Sequence, residues 1–250
     1  VVQANTNPAL DKIQTDFAPR LAAHEDAIKL DPRLFARIKA LHDRQATLKL
    51  DPEARQLLKI VYRDFVHAGA NLSESDKTRL KAINRRMATL ETSFQQKLVA
   101  AAKAAALVVD NRSELAGLPE AEIAAAAEAG KARGLKGKFV IPLQNTTQQP
   151  LLTSLANRAT REKLYRLSWT RAEKGDGNDT RAIIRQLAVL RADKAKLLGY
   201  PNYASYVLYD QMAQTPQAVK AFIGRLVPAT AAKAAEEARL IQQAIDREPK

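Results

Sequence analysis

A chain of 250 residues with 46% apolar composition is long enough for one large domain or two small ones, and it can bury a core. The absence of cysteine excludes disulfides and thiolate metal sites and fits a reducing compartment. A formal charge of +13 keeps nucleic acid or an acidic partner open as a binding class, whereas no run approaches the ~18 apolar residues of a membrane span and no charged-then-apolar leader opens the chain at Val1.

In chain order, VVQANTNPAL has no initiator Met and reads as the interior of a longer chain. KLDPRLFARI and KLDPEARQLL then repeat one form of helix punctuation. Asp31 and Asp51 can accept from free backbone N–H groups, and Pro32 and Pro52 sit where no N–H is needed. The residues after each KLDP diverge, so two similar helix starts are expected rather than a repeat. In the second of these helices Leu57, Leu58, Val61 and Phe65 make the apolar face, and Gly69 ends it.

Ser73 and Asp76 open a long helix in the manner of a capping box. Its seam is Leu80, Ile83, Met87, Leu90, Phe94 and Leu98, at spacings of three and four. Continued through the Ala-rich KLVAAAKAAA, it would reach ~45 Å at 1.5 Å per residue. LVVD (107–110) and KFVIPL (138–143) are the two strand candidates, rich in β-branched residues and bounded by turn formers. LPEAEIAAAAEAGKARG between them reads as a short helix that ends in glycine. Thr160 is expected to cap the next helix, with Leu164, Leu167 and Trp169 on its apolar face. GDGNDT breaks that helix, and Asn178 or Asp179 caps another carrying Ile183, Ile184, Leu187, Leu190 and Leu197. Gly199 and Pro201 end it, Asn202 caps a short successor, and Pro216 and Pro228 mark later starts. IDREPK is a charged tail within a helical pattern. The expected fold class is all-α (mainly α), a multi-helix body with one small β element near 107–110 and 138–143.

The charge excess is concentrated between Asn157 and Lys196, where eleven Lys or Arg face five Asp or Glu. Acids are interleaved at helical spacing, as in Glu162 with Arg166 and Asp193 with Lys196, so solvated helix faces are expected ahead of a nucleic-acid groove. Four of the six tyrosines, Tyr200, Tyr203, Tyr206 and Tyr209, fall within LLGYPNYASYVLYDQMA. Large rings with a polar tip suit a helix junction, so packing is expected there rather than a stacking platform for a ligand.

Catalytic constellations are sparse. HEDAI (24–28) begins like the zinc motif H-E-x-x-H, in which two imidazoles one turn apart face one metal and the Glu acts on its bound water. Ile28 takes the place of the second histidine, and His24, His42 and His67 lie on separate predicted helices. GDGND resembles a calcium loop but has no bidentate Glu at the required distance. No catalytic, metal-binding or cofactor-binding residue is assigned to any position, and no substrate-binding residue is identified.

IPLQNTTQQP (141–150), NRATREKL (157–164), WTRAEK with NDTRAII (169–184) and LRADKAKLLGYPNYASY together resemble the bacterial peptidyl-dipeptidases, or dipeptidyl carboxypeptidases. These belong to the thimet oligopeptidase and neurolysin family of zinc metallopeptidases. FVHAGANLSESDKTRLKAIN and LVVDNRSELAGLPEAEI match the same family in the same order. The resemblance implies an internal fragment spanning residues 1–250, truncated at both ends, that forms one helical wall of a substrate channel. The zinc helix, an H-E-x-x-H with a further Glu ligand, would lie in a C-terminal half absent here. It further implies an intact parent that uses zinc to release C-terminal dipeptides from oligopeptides, with this fragment binding no zinc and inactive alone. The implied partners are the oligopeptide substrate and the missing catalytic half of the same protein, with neither nucleic acid nor a membrane span. A cytoplasmic location is expected, with the periplasm as the alternative. The competing reading is an autonomous basic helical scaffold for an acidic partner or nucleic acid. If the wall is cut from a larger body, some apolar helix faces should lack cover, the long helix from Ser73 first among them.

Overall fold

The computed structural model describes residues 6–143 and 145–247, with residues 145–149 described by backbone alone. The first residues of VVQANTNPAL, the last three of IDREPK and Gln144 within IPLQNTTQQP lie outside that range. The chain divides into two compact units, residues 1–190 and 191–250.

The first unit opens with α1 (Pro8–Lys29), α2 (Pro32–Asp43), α3 (Pro52–Ala68) and α4 (Glu74–Ala104). Their starts are set by short polar side chains. Asn7 accepts from the N–H groups of Ala9 and Leu10, Asp31 from those of Arg33 and Leu34, Asp51 from that of Ala54, and Ser73 from that of Asp76. Both KLDP aspartates therefore act as the sequence suggests. The two backbone donors at Asp31 also hold its carboxyl below the usual carboxylate range. Gly69 ends α3 in the left-handed region at φ 103°, which a side chain would disfavour.

α2 and α3 form a hairpin around Phe35, Phe65 and Ala70, with Phe35 and Phe65 ring centroids 6.3 Å apart. Leu57, expected on this buried face, is 62% exposed, whereas Val61 and Phe65 one and two turns later are packed. α1 runs along α4 and is tied to it by polar bonds. Gln96 donates to the Asp11 carbonyl at 2.9 Å and to Thr15 Oγ1 at 3.1 Å, and Asn84 donates to the buried Asp26 carboxylate at 2.7 Å. The seam of α4 is covered, contrary to expectation. Met87 and Leu90 pack with Ile183 and Leu187, and Ile83 and Phe94 flank them.

β1 (Leu107–Val109) and β2 (Phe139–Ile141) pair antiparallel with Val108 opposite Val140. A 3₁₀ turn (Arg112–Leu115) and α5 (Glu120–Ala132) connect them. α6 (Asn145–Ser154) and α7 (Arg158–Trp169) follow. This group contains the largest core, in which Leu107, Leu115, Leu155 and Leu164 are at most 1% exposed. Two glycines permit the close approach. A Cβ on Gly130 would lie 2.2 Å from the Lys138 carbonyl oxygen, and one on Gly117 would lie 2.2 Å from that of Ser154. The cap of α7 is Asn157, which accepts from the N–H of Thr160 at 3.0 Å. Thr160 is instead a buried residue of the first turn, which corrects the expectation from sequence.

α8 (Arg181–Leu197) ends at Gly199, with φ 82°. In the second unit Asn202 accepts from the Ser205 N–H at the start of α9 (Tyr203–Leu208), and α10 (Pro216–Arg247) completes the described chain. Pro228 lies inside α10 and does not start a new helix. Its missing N–H costs one intrahelical bond, to the carbonyl of Gly224, and the helix continues across that gap.

Candidate functional site

The residues with metal or acid–base chemistry are kept apart by the fold. His24, His42 and His67 sit on α1, α2 and α3 respectively, and no group of three His, Asp or Glu among the described residues is placed to hold a metal ion. His42 is committed to packing, its ring stacked on Tyr62 with centroids 3.7 Å apart. His24 and Ile28 are both on the exposed side of α1, so the H-E-x-x-I stretch is one imidazole on an open helix face. A zinc site does not fit these residues.

The GDGND loop is occupied by its own bonds. Asp179 accepts from the Gly175 and Arg181 N–H groups at 2.8 and 3.0 Å and pairs with the Arg181 guanidinium at 2.5 Å. That guanidinium, with the two backbone donors, drives its carboxyl far below the usual range. The Asp176 carboxylate accepts from the Asn178 N–H, and the Lys97 ammonium donates to the Gly177 carbonyl. Oxygens that a calcium ion would need are thus turned toward cations and donors already in place. The loop serves to join α7 to α8, with the Thr180 N–H donating to the Ala172 carbonyl at 3.0 Å.

That junction frames a cavity of about 600 Å³ lined by Tyr165, Trp169, Arg171, Arg181 and Ile184 among others. Trp169 and Tyr165 are one helical turn apart, stacked with centroids 5.7 Å apart and an interplanar angle of 19°. Trp169, expected on the buried face of α7, is 74% exposed, and Ile184, expected among the buried residues of α8, is 51% exposed. Both open onto this cavity, while Leu164, Ile183 and Leu187 take the core positions. The i, i+4 spacing of Tyr165 and Trp169 was the available signal for this exposed aromatic step. The lining combines these rings with Ser168, Glu173 and Thr180 and the cations Arg171 and Arg181, so it can receive an apolar or aromatic group with polar partners at its edge.

A second cavity of about 580 Å³ lies between α1 and α4, with Lys81, Arg85 and Arg86 on its rim and Asp26 within. Arg86 is held by Gln186 Oε1 at 2.7 Å. Elsewhere the excess positive charge is spread over helix faces in short-range pairs, including Lys12–Asp16 at 3.0 Å, Lys39–Asp43 at 2.6 Å and Arg166–Glu162 at 2.8 Å. Pairs as exposed as these contribute little to stability.

In the second unit the tyrosines pack on each other. Tyr206 meets Tyr200 edge-on at 5.4 Å and Tyr203 at 5.6 Å, and Arg191 and Lys194 lie over the rings of Tyr203 and Tyr206 at 5.4 and 5.5 Å. Burial, then the neighbouring tyrosines, push the Tyr206 hydroxyl up to about 12. All four rings are half-buried, which fits the packing role expected from sequence.

Comparison with known proteins gives these features a setting. The sequence profile described as Peptidase family M3 matches residues 151–250. The dipeptidyl carboxypeptidase of Escherichia coli K12 is 47% identical over 245 residues, covering 98% of this chain and 36% of its own length. The Salmonella typhimurium dipeptidyl carboxypeptidase gives the same identity and coverage. Oligopeptidase A of Haemophilus influenzae is 34% identical over 168 residues, or 66% of this chain and 24% of its own. The chain thus resembles bacterial dipeptidyl carboxypeptidases along nearly all its residues and spans about a third of the length of these relatives.

Proposed function

We propose that these residues are a non-catalytic helical part of a metallopeptidase that removes C-terminal dipeptides from oligopeptides, and that they form one wall of its substrate channel. The observation that carries this reading is 47% identity sustained over 98% of the chain to a dipeptidyl carboxypeptidase. Two further features support it. The three histidines sit on separate helices and no group of three His, Asp or Glu among the described residues is placed to hold a metal ion, which fits a hydrolytic centre supplied from outside these residues. The surface also offers an open, aromatic-lined cavity beside α7, suited to receive a side chain of an extended peptide.

Zinc is the metal proposed for the parent, where it would activate water for attack on a peptide carbonyl. No step of that reaction is assigned to a residue here. A cytoplasmic location belongs to the same proposal, consistent with a chain that has no cysteine. Product analysis of the parent tests the reading. An N-terminally blocked oligopeptide should shorten by two residues at a time from its C-terminus, with mass spectrometry identifying each dipeptide. Cleavage only at interior bonds would replace this reading with an oligopeptidase, and no chelator-sensitive cleavage would remove the peptidase assignment.

A further inference from the structure

Among the described residues, none covers an apolar stripe on α10. Phe222, Ile223, Leu226, Val227, Ile241 and Ile245 are between 48% and 61% exposed, and every residue from Ala221 to Arg247 is on the exposed side of the burial scale. At 100° per residue these six side chains fall within an arc of about 140° as two clusters, 222–227 and 241–245, with Lys233 and Glu237 on the same arc between them and Arg225, Arg239 and Asp246 on the opposite side. The stripe is ~35 Å long at 1.5 Å per residue. Only the start of the helix is partly covered, at Pro216 and Val219. α4 shows the contrast. It has a similar length and the same kind of seam, and the chain's own helices cover that seam. Large apolar side chains exposed together on one face mark an interaction surface more often than a solvated one.

We propose that this stripe is the docking face for a further part of the same polypeptide, an apolar helical surface that the dipeptidyl carboxypeptidase relatives possess beyond the third of their length matched here. This rests on the proposed reading of the chain as part of such a peptidase. The length of the relatives supplies the occupant. Roughly two-thirds of each relative lies outside the matched region. α10 also falls within the residues matched by the peptidase family profile.

The chain has no cysteine, so single introduced thiols report burial directly. Leu226→Cys, Val227→Cys and Ile241→Cys on the stripe and Arg239→Cys opposite would each be placed in the 250-residue chain and in the full-length parent. Alkylation of the peptides spanning residues 220–245 would be followed by mass spectrometry. In the chain all four thiols should react rapidly. In the parent the stripe thiols should slow by about a hundredfold or more, as for sites that react only on local opening, while Arg239→Cys slows much less. A cooperative melt is required of each parent variant, and the small Val227→Cys change secures the reading if a larger truncation unfolds it. Equal rates in a folded parent and in the chain would overturn the proposal. Slow, concentration-dependent labelling in the chain alone would also overturn it, by making a second copy the occupant. The readout is independent of dipeptide release, so a protected stripe in an inactive parent would uphold the docking face while removing the proposed activity.

Discussion

Tyr206 shows how one residue can report on a packing decision. Four tyrosines crowded into ten residues could have served as a stacking surface, but in the structure each ring is partly spent on its neighbours, with Tyr206 at the centre. Burial raises its hydroxyl to about 12, and burial also raises that of Tyr200. The unfolded chain would ionise these groups near the ordinary tyrosine value of about 10. The stabilising contribution of neutral Tyr206 is therefore complete below pH ~10 and is lost as pH rises through about 12. Spectrophotometric titration at the phenolate band should show a late step near pH 12 that is absent in Tyr206→Phe. A single transition of all six near pH 10 would contradict the packing.

Trp169 marks the opposite outcome at the same scale. Its helix face was legible in the spacing with Leu164, yet its burial was not, because burial depends on what crosses that face. Leu164 meets the β1–β2 core, whereas Trp169, at the C-terminal end of α7, projects beside the Gly175–Thr180 loop. The loop's carboxylates were also ambiguous in sequence. Their engagement by Arg181 and Lys97 follows from positions in three dimensions, with Lys97 lying 80 residues from the carbonyl it reaches.

At the scale of elements, punctuation was the most legible feature. Asp31, Asp51, Ser73 and Asn202 cap as their positions suggest, since each offers an acceptor two or three residues before a free N–H. The cap of α7 was expected at Thr160, three residues beyond the residue that holds it. Asn157 holds it because Thr160 is drawn into the core at 3% exposure. Asn157→Ala should cost about 1 kcal/mol in a denaturant midpoint, and Asn157→Asp should restore most of it. A neutral alanine variant would return the cap to Thr160. Pro228 was misread because proline is a strong start signal only at the first turn. Within a helix it removes one bond and need not end the run.

Glycines give the second element-scale prediction. Gly130 lies where α5 approaches the residue before β2, and an added Cβ would meet the Lys138 carbonyl oxygen at 2.2 Å. That approach is backbone against backbone and cannot be relieved by a rotamer change. Gly130→Ala should therefore destabilise by about 1–3 kcal/mol or more, as overpacking does. Gly177→Ala has open space around its Cβ and should be close to neutral in the same urea titration. Equal effects at the two positions would count against the α5–β2 packing described. Neither close approach was visible in the sequence, where each is one glycine among nine.

Over the whole molecule, helical class and the small β element were legible because periodicity and turn formers agree along the chain. The location of the uncovered surface was not. A seam reads the same whether its partner lies within these residues or elsewhere. α4 was expected to be bare and is covered, while the long exposed stripe falls on α10. The sequence assigned no site residue, and the exposure of the Tyr165–Trp169 step beside the α7–α8 loop emerges from the fold alone. The three histidines stand on separate helices, and no group of three His, Asp or Glu among the described residues is placed to hold a metal ion. The most direct test of the central claim is dipeptide release by the purified 250-residue chain supplied with zinc, assayed on a blocked oligopeptide beside the full-length parent. The same chain sample must give a helical circular-dichroism spectrum and a cooperative melt. The account predicts no dipeptide from the folded chain and chelator-sensitive release by the parent. Chelator-sensitive release by the chain itself, at a rate that survives repurification, would contradict it.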